Sequence, residues 1–345
     1  MKSAMQAPLC FVLMPFGRKT LPSGVTVDFD VAYSDTIAPA ITSAGLDPVR
    51  ADQDSPAFRF FQGLSPSELS RLGTDVFRDR IPAAEDARQA LEAARRTNDP
   101  ARVRAAAVAL GPVALLDAGT LVDLLLSYRA VKEHQAMVDL VAQLPEAIVE
   151  TRLVQEQLGF ALNRLGRRDE AEAVLQAVIA RHGPSGESNG LLGRIHKDRW
   201  EAAVQAGDSG AAREWLDKAI TTYLQGFEAD WRDAYPGINA VTLMEFTTPP
   251  DPRRLELLPI VAYAVQRRIA AGAPDYWDHA TLLELAVLRE DATATAAHLA
   301  DVLAAVREPW EPETTARNLG LIRAARAARG VVQDWLAATE AALRP

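Results

Sequence analysis

Cysteine is all but missing from this chain. Cys10 is the single example, so an internal disulfide and a cysteine-built metal site are both excluded. A basic surplus is missing too. Lys plus Arg number 37 against 46 Asp plus Glu, a formal net charge of −9. Sequence-independent binding to nucleic acid or to an anionic membrane needs concentrated Lys and Arg, so neither partner is expected. Aromatic residues are few, and the Ala- and Leu-rich remainder favours helix over sheet. No apolar run reaches the roughly 18–20 residues of a membrane helix. The longest candidate, Ala105 to Leu126, is broken by Gly111-Pro112 and carries Asp117 and Asp123. The opening stretch has Lys2 and a short apolar segment, but Pro8 and Pro15 flank it and no small-x-small cleavage site follows. A cytoplasmic protein is the expectation. The histidines (His134, His182, His196, His279 and His298) include no pair at i, i+3 or i+4, so no metal site is expected. Gly-x-Ser-x-Gly and phosphate loops are absent, and Gly17-Arg-Lys is too short to be one. No cofactor is implied.

What is present is mostly helix. The 345 residues allow about two domains or one long array. Residues 1–52 stand apart. Leu9 to Met14 reads as a buried strand ended by Pro15-Phe-Gly17, Val27 to Ala44 has helical spacing, and Leu46 to Arg50 reads as a second strand. That is one βαβ unit, too small to bury a parallel sheet by itself. Residues 53–82 read as a connector punctuated by Asp54-Ser-Pro, Gly63, Ser65-Pro66 and Pro82. From 83 to 345 helical patterns follow one another with no period-two alternation, and turn residues recur, Asn98-Asp-Pro100, Gly166 and Pro236-Gly237 among them.

An internal repeat organises this region. Leu124-Leu125, Leu158-Gly159 and Leu192-Gly193 are 34 residues apart, as are Tyr128, Leu162 and His196, and Met137 and Ala171. This spacing resembles the tetratricopeptide repeat, a 34-residue helix-turn-helix unit. The small residue after Leu158 and Leu192 should let two helices approach closely, with Ala171 filling the same crossing. In the third repeat an insertion around Trp200 to Gly210 delays the second helix, and Ala212, Trp215, Leu216 and Ala219 take over its packing. A looser pair runs Tyr276 to Arg289 and Thr293 to Val306. The expected fold is a mostly α, tetratricopeptide-like α-solenoid with a small N-terminal βαβ remnant.

Three segments carry a more specific likeness: Gly190-Leu-Leu-Gly-Arg-Ile-His-Lys-Asp-Arg-Trp200, Trp215-Leu-Asp-Lys-Ala219 and Tyr235-Pro-Gly-Ile-Asn-Ala-Val-Thr-Leu243. They resemble the TRAFs-binding, central regulatory region of apoptosis signal-regulating kinases, which also occurs in bacterial proteins without a kinase. The likeness covers roughly residues 85–330 and implies a regulatory scaffold. No Gly-rich ATP loop, His-Arg-Asp or Asp-Phe-Gly accompanies it. Phe11-Val-Leu-Met-Pro-Phe-Gly17, Asp28-Phe-Asp30 and Gly45-Leu-Asp-Pro-Val-Arg50 are similar to the opening of the bacterial members' N-terminal domain, itself related to TIR-like and nucleoside deoxyribosyltransferase-like folds. The Phe-Tyr-Glu-Leu-Gly-type segment that carries those relatives' catalytic acid has no counterpart here. Residues 1–52 are therefore expected to fold on the array, to pair in trans as a homo-oligomer, or to be the remnant of a larger α/β domain.

The leading expectation is a non-enzymatic scaffold that binds a protein or peptide partner on the concave face of the array. Candidate partner-binding residues are Arg194, Lys197, Asp198, Trp200 and Asn239. Arg194 and Asp198 are i, i+4 and able to pair. Each candidate also has a structural reading. The charged cluster can be an inter-repeat network, the tryptophans (Trp200, Trp215 and Trp231) can pack where helices cross, and Asn239 can cap the helix after Pro236-Gly237 or bind its neighbour's backbone. His196 is expected to pack or hydrogen-bond between helices. Arg164, Arg167 and Arg168 make a small basic patch near a turn, read as a solvated turn with Arg168 pairing Glu172 rather than as a binding site. The alternative is a nucleoside or NAD glycosidase-like enzyme built on residues 9–52 and completed in trans, because open α/β sheets place ligands at loops such as Leu13-Met-Pro-Phe-Gly17.

Overall fold

The computed structural model describes residues 9–12, 17–20, 26–44, 46–50, 80–272 and 274–344. Nearly all of the connector expected at 53–82 lies outside them. They fall into two compact units, Met1–Asp86 and Ala87–Pro345.

In the first unit β1 (Leu9–Val12) pairs in parallel with β4 (Asp47–Arg50), Leu9 opposite Asp47. Between them an antiparallel hairpin, β2 (Arg18–Thr20) with β3 (Thr26–Asp28), precedes α1 (Phe29–Ala32), a π-helical turn (Tyr33–Ile37) and α2 (Ala38–Ser43). The expected strand, helix and strand are present, but the helix begins later than Val27, which lies on β3 instead. Asp28 ends that strand and caps the helix, accepting from the amides of Asp30 and Val31 at 3.2 and 3.3 Å.

The second unit is built from antiparallel helix pairs, the first helix beginning a few residues ahead of the boundary at Ala87. They are α3 (Arg80–Arg96) with α4 (Pro100–Leu110), α5 (Ala118–Ala130) with α6 (His134–Val141), and, after the one-turn α7 (Glu146–Val149), α8 (Arg152–Arg164) with α9 (Arg168–His182). Next come α10 (Gly186–Gln205) with α11 (Ser209–Ala229), α12 (Ala234–Met244) with α13 (Arg253–Ala270), α14 (Tyr276–Leu288) with α15 (Ala292–Ala304), and α16 (Trp310–Ala328) with α17 (Asp334–Ala342). None of the described residues from 80 onward forms a strand. No helix among the described residues is long and apolar enough to cross a membrane.

The 34-residue period extends one pair further back than the side-chain pattern suggests. Asn98, Lys132 and Gly166, spaced by 34, each turn the chain from the first to the second helix of a pair through left-handed backbone, with φ of 52°, 62° and 77°. Val103, Met137 and Ala171 share that spacing on the second helices, and all three are fully buried. Only the third position of the turn series is glycine, the residue that adopts this conformation freely, so α3 and α4 escape a search for glycine punctuation.

Close helix approach is where the glycines matter. A Cβ on Gly159 would lie 2.7 Å from Leu175 Cγ, and one on Gly193 would lie 2.8 Å from the Tyr223 ring. The expected insertion after Trp200 is not a loop. It lengthens α10 by about two turns before Gly207 (φ 72°) reverses the chain and Asp208 caps α11. The extension carries Glu201 to α16, where Arg317 Nη2 donates to both its carboxylate oxygens at 3.0 Å. Nor is Pro236-Gly237 a turn. Asp233 caps α12, and both residues fall inside that helix near its start, where a proline costs no intrahelical hydrogen bond.

Candidate functional site

The first helices of five successive pairs converge on one groove of about 400 Å³. Arg129 comes from α5, Phe160 and Arg164 from α8, Arg194 from α10, Tyr235 from α12 and Trp277 from α14. The helix repeat explains the convergence. Leu126, Phe160 and Arg194 occupy one 34-residue column, and Arg129, Asn163 and Lys197 another. Equivalent positions of stacked helices share a face.

Cations and aromatic faces dominate this lining. The Arg129 and Arg164 guanidinium carbons lie 4.5 and 5.1 Å from the Phe160 ring centroid. Arg129 donates to the neutral Gln157 side chain at 2.8 Å. Arg164 has no hydrogen bond or ion pair among the described residues. Partial desolvation at the groove, and then the neighbouring Arg194, lower its pKa. Trp277 is 36% exposed and lies 5.7 Å from the half-exposed Trp310.

One of the five candidate residues lines this groove, and a second pairs with it. Arg194 lines it, and its Nε donates to Asp198 at 2.8 Å, the expected i, i+4 pair. Asp198 also accepts from Asn163 Nδ2 at 3.2 Å. The other three lie elsewhere. Lys197 is only 3% exposed. Burial and the neighbouring Arg194 lower its pKa, while Glu284 and Glu201 act against them. Trp200, 8% exposed, stacks on Phe246 at 5.1 Å beside a separate cavity. Asn239 donates Nδ2 to the Tyr235 carbonyl within α12, one turn back, so it does not cap that helix. Phe160, Arg129, Tyr235 and Trp277 do not stand out in the sequence as site residues, and Arg164, read with Arg167 and Arg168 as a solvated turn, lines the groove instead. The 34-residue columns are the signal available for Phe160 and Arg129.

A second polar cluster locks α9, α10 and α11 together. His196 is buried between Glu172 and Thr222, as expected of an inter-helix residue. The Glu172 carboxylate can only accept, so Nε2 carries the proton and Nδ1 accepts from the Thr222 hydroxyl. Glu172 pairs with His196 and Arg199, not with Arg168, because its side of α9 faces α10. Trp215 packs here as expected, with Lys218 Nζ and the Arg199 guanidinium 4.3 and 4.5 Å from its ring. Trp231 departs from expectation. It is 53% exposed in the turn after α11, touching Phe227.

This cluster gives the fold a pH dependence. Burial lowers the His196 pKa, outweighing the opposing pull of Glu172. The unfolded chain protonates this histidine near pH 6.5 and the folded chain only at lower pH. Between those values the unfolded state binds more protons, so the His196 contribution is complete above about pH 6.5 and declines as the pH falls. Urea midpoints measured on either side of that value should show the loss, and His196→Gln should flatten it. An unchanged slope in the variant would remove His196 from this account.

Stacked helix pairs with a groove along their first helices define an α-solenoid of tetratricopeptide type. The chain belongs to the MAP3K TRAFs-binding domain family, whose model matches residues 73–336. It is 30% identical over 220 residues to mitogen-activated protein kinase kinase kinase nsy-1 of Caenorhabditis elegans, covering 58% of this chain and 14% of the relative. It is 28% identical over 226 residues to mitogen-activated protein kinase kinase kinase 15 of Mus musculus, covering 61% and 16%. The chain thus spans a small fraction of the length of these relatives. Among solved structures, a thermophilic tetratricopeptide-repeat protein of Thermus thermophilus is similar, with TM-score 0.44 and 14% identity over 59% of this chain and 99% of that one.

Proposed function

We propose that the chain is a non-catalytic scaffold module that captures a protein partner by seating a peptide segment in the groove between α5 and α14. The observation behind this reading is the convergence of Arg129, Arg164 and Arg194 with Phe160, Tyr235 and Trp277 from five separate helices. Aromatic and arginine side chains are the types that dominate binding energy at interfaces. Membership of a TRAFs-binding family supports a protein partner over a small molecule. Among the described residues no group of three His, Cys, Asp or Glu is placed to hold a metal ion.

The test is selection of peptides from a displayed random library by the full-length chain. Trp277 is the exposed anchor, and Trp277→Ala should weaken the selected peptides about thirtyfold, a loss of about 2 kcal/mol. The helical circular dichroism should be unchanged. Peptides that bind the variant as well as the parent would show that the groove is not the site.

A further inference from the structure

The groove holds more positive charge than its own carboxylates answer. Asp198 answers Arg194, at 2.8 Å. Arg164 has no ion pair among the described residues, and Arg129 hydrogen-bonds a neutral amide. Glu187 is the one acidic side chain among the lining residues; it makes no direct ion pair with either arginine, although Arg129 acts on its carboxylate from a distance, as Asp198 acts on Arg164. Exposed arginines elsewhere in this unit are commonly matched, as in Arg104 with Glu133, Arg167 with Glu170 and Arg253 with Asp251. Two guanidiniums on one aromatic ring, neither in direct contact with a carboxylate, therefore stand out as a place for an anion.

The form of that anion follows from the size of the site. The two guanidiniums sit on one ring, a single point rather than the strip of cations that a run of Asp and Glu would need. A phosphoryl group instead concentrates nearly two charges and three strong acceptor oxygens at one point, and arginine pairs with it in a two-pronged geometry. Next to the unmatched guanidiniums, the Phe160, Tyr235 and Trp277 faces can take the apolar residues of the same peptide.

We propose that the groove receives a phosphorylated peptide, with its phosphoserine or phosphothreonine at Arg164 and Arg129 beside Phe160. This rests on the groove reading above and names its ligand class. One bystander would report the event. His134 lies edge-on to Phe160 with ring centroids 5.7 Å apart. Burial, followed by the charge of Arg164, holds its imidazole below the ordinary histidine range.

The experiment uses three degenerate nonapeptide libraries alike but for their central residue, which is phosphoserine, glutamate or serine. Each is passed over the immobilised full-length chain, and the best phosphoserine sequence is resynthesised in all three forms for calorimetry. The phosphoserine form should bind at least tenfold more tightly than the glutamate form, and Arg164→Gln should erase that advantage. Arg164 is exposed, so the variant should melt as the parent does. Bound phosphopeptide should also raise the His134 pKa in an NMR titration. Equal affinity of the glutamate form would mean that the groove takes a carboxylate, which overturns the proposal. So would full phosphopeptide affinity in Arg164→Gln, or a phosphoserine library that selects nothing beyond the serine library. If serine peptides still bind in a Trp277-dependent way, only the phosphoryl assignment falls. If no peptide of any kind depends on Trp277, the groove reading falls with it.

Discussion

Glu245→Ala is expected to cost about 3–5 kcal/mol of folding stability, the range for leaving a buried charge without its partner. Glu245 is 1% exposed at the end of α12, and three arginines surround its carboxylate. Arg326 Nε donates to Oε1 at 3.1 Å and Arg329 Nη2 to the same oxygen at 2.5 Å. Arg254 Nε lies 3.1 Å from Oε2, an ion pair without hydrogen-bond alignment. Arg326 is itself only 2% exposed. It also donates to Gln333 Oε1 and, more loosely, to the Leu288 carbonyl. With the carboxylate gone, this guanidinium has neither water nor an anion to replace it.

The loss should be local before it is global. Stability in stacked repeats is largely a sum of nearest-neighbour terms. Glu245 ties the turn after α12 to α13 and α16, so hydrogen exchange in Glu245→Ala should speed first across α13 to α17. The earlier pairs should stay protected. Glu245→Gln keeps an acceptor and should fall between parent and alanine variant. A urea midpoint shift worth under about 1 kcal/mol would mean that the arginines find water after all.

Leu175→Ala is the second large effect, at about 2–5 kcal/mol for emptying a fully buried leucine site. Leu175 sits directly over Gly159, so its partner at the crossing has no side chain to collapse into the void. Gly159→Ala fails for the opposite reason. Its new methyl would stand 2.7 Å from Leu175 Cγ, and overpacking of that kind costs about 1–3 kcal/mol. The double variant tests the geometry. The alanine methyl at 159 occupies part of the space vacated at 175, so the combined loss should fall well short of the sum. Strict additivity in urea melts would show that the two residues do not share one crossing.

Leu158-Gly159 and Leu192-Gly193 are legible in the sequence because burial at a helix crossing recurs with the helix pair. The same logic predicts strand, helix and strand near the N-terminus, since an apolar run and a 3.6-residue period are local signals. The turns are less legible. Asn98-Asp-Pro100 reads as a turn, and so does Gly166, but Lys132 takes the same place in its repeat without looking like either. The long α10 reads as an interrupted helix because a period count registers extra residues without saying whether they are helical. The charged run of α10 splits in a way no linear pattern reveals. Arg194 lines the groove and pairs with Asp198, while Lys197, one residue before Asp198, is buried.

Composition and the 34-residue period by themselves determined that this chain is an array of paired helices, because each crossing is built from residues a few turns apart. Only the tertiary structure decided which side chains share a surface. Arg129, Arg194 and Trp277 belong to helices far apart in sequence and meet because stacked pairs place equivalent faces side by side. Glu245 and Arg326 form an ion pair across 81 residues. Lys197 lies buried near Glu284, a residue of the pair two further along, and Arg164 stands without an ion pair. Charge and exposure at these positions depend on what the next pairs bring against them, and no single repeat contains that information.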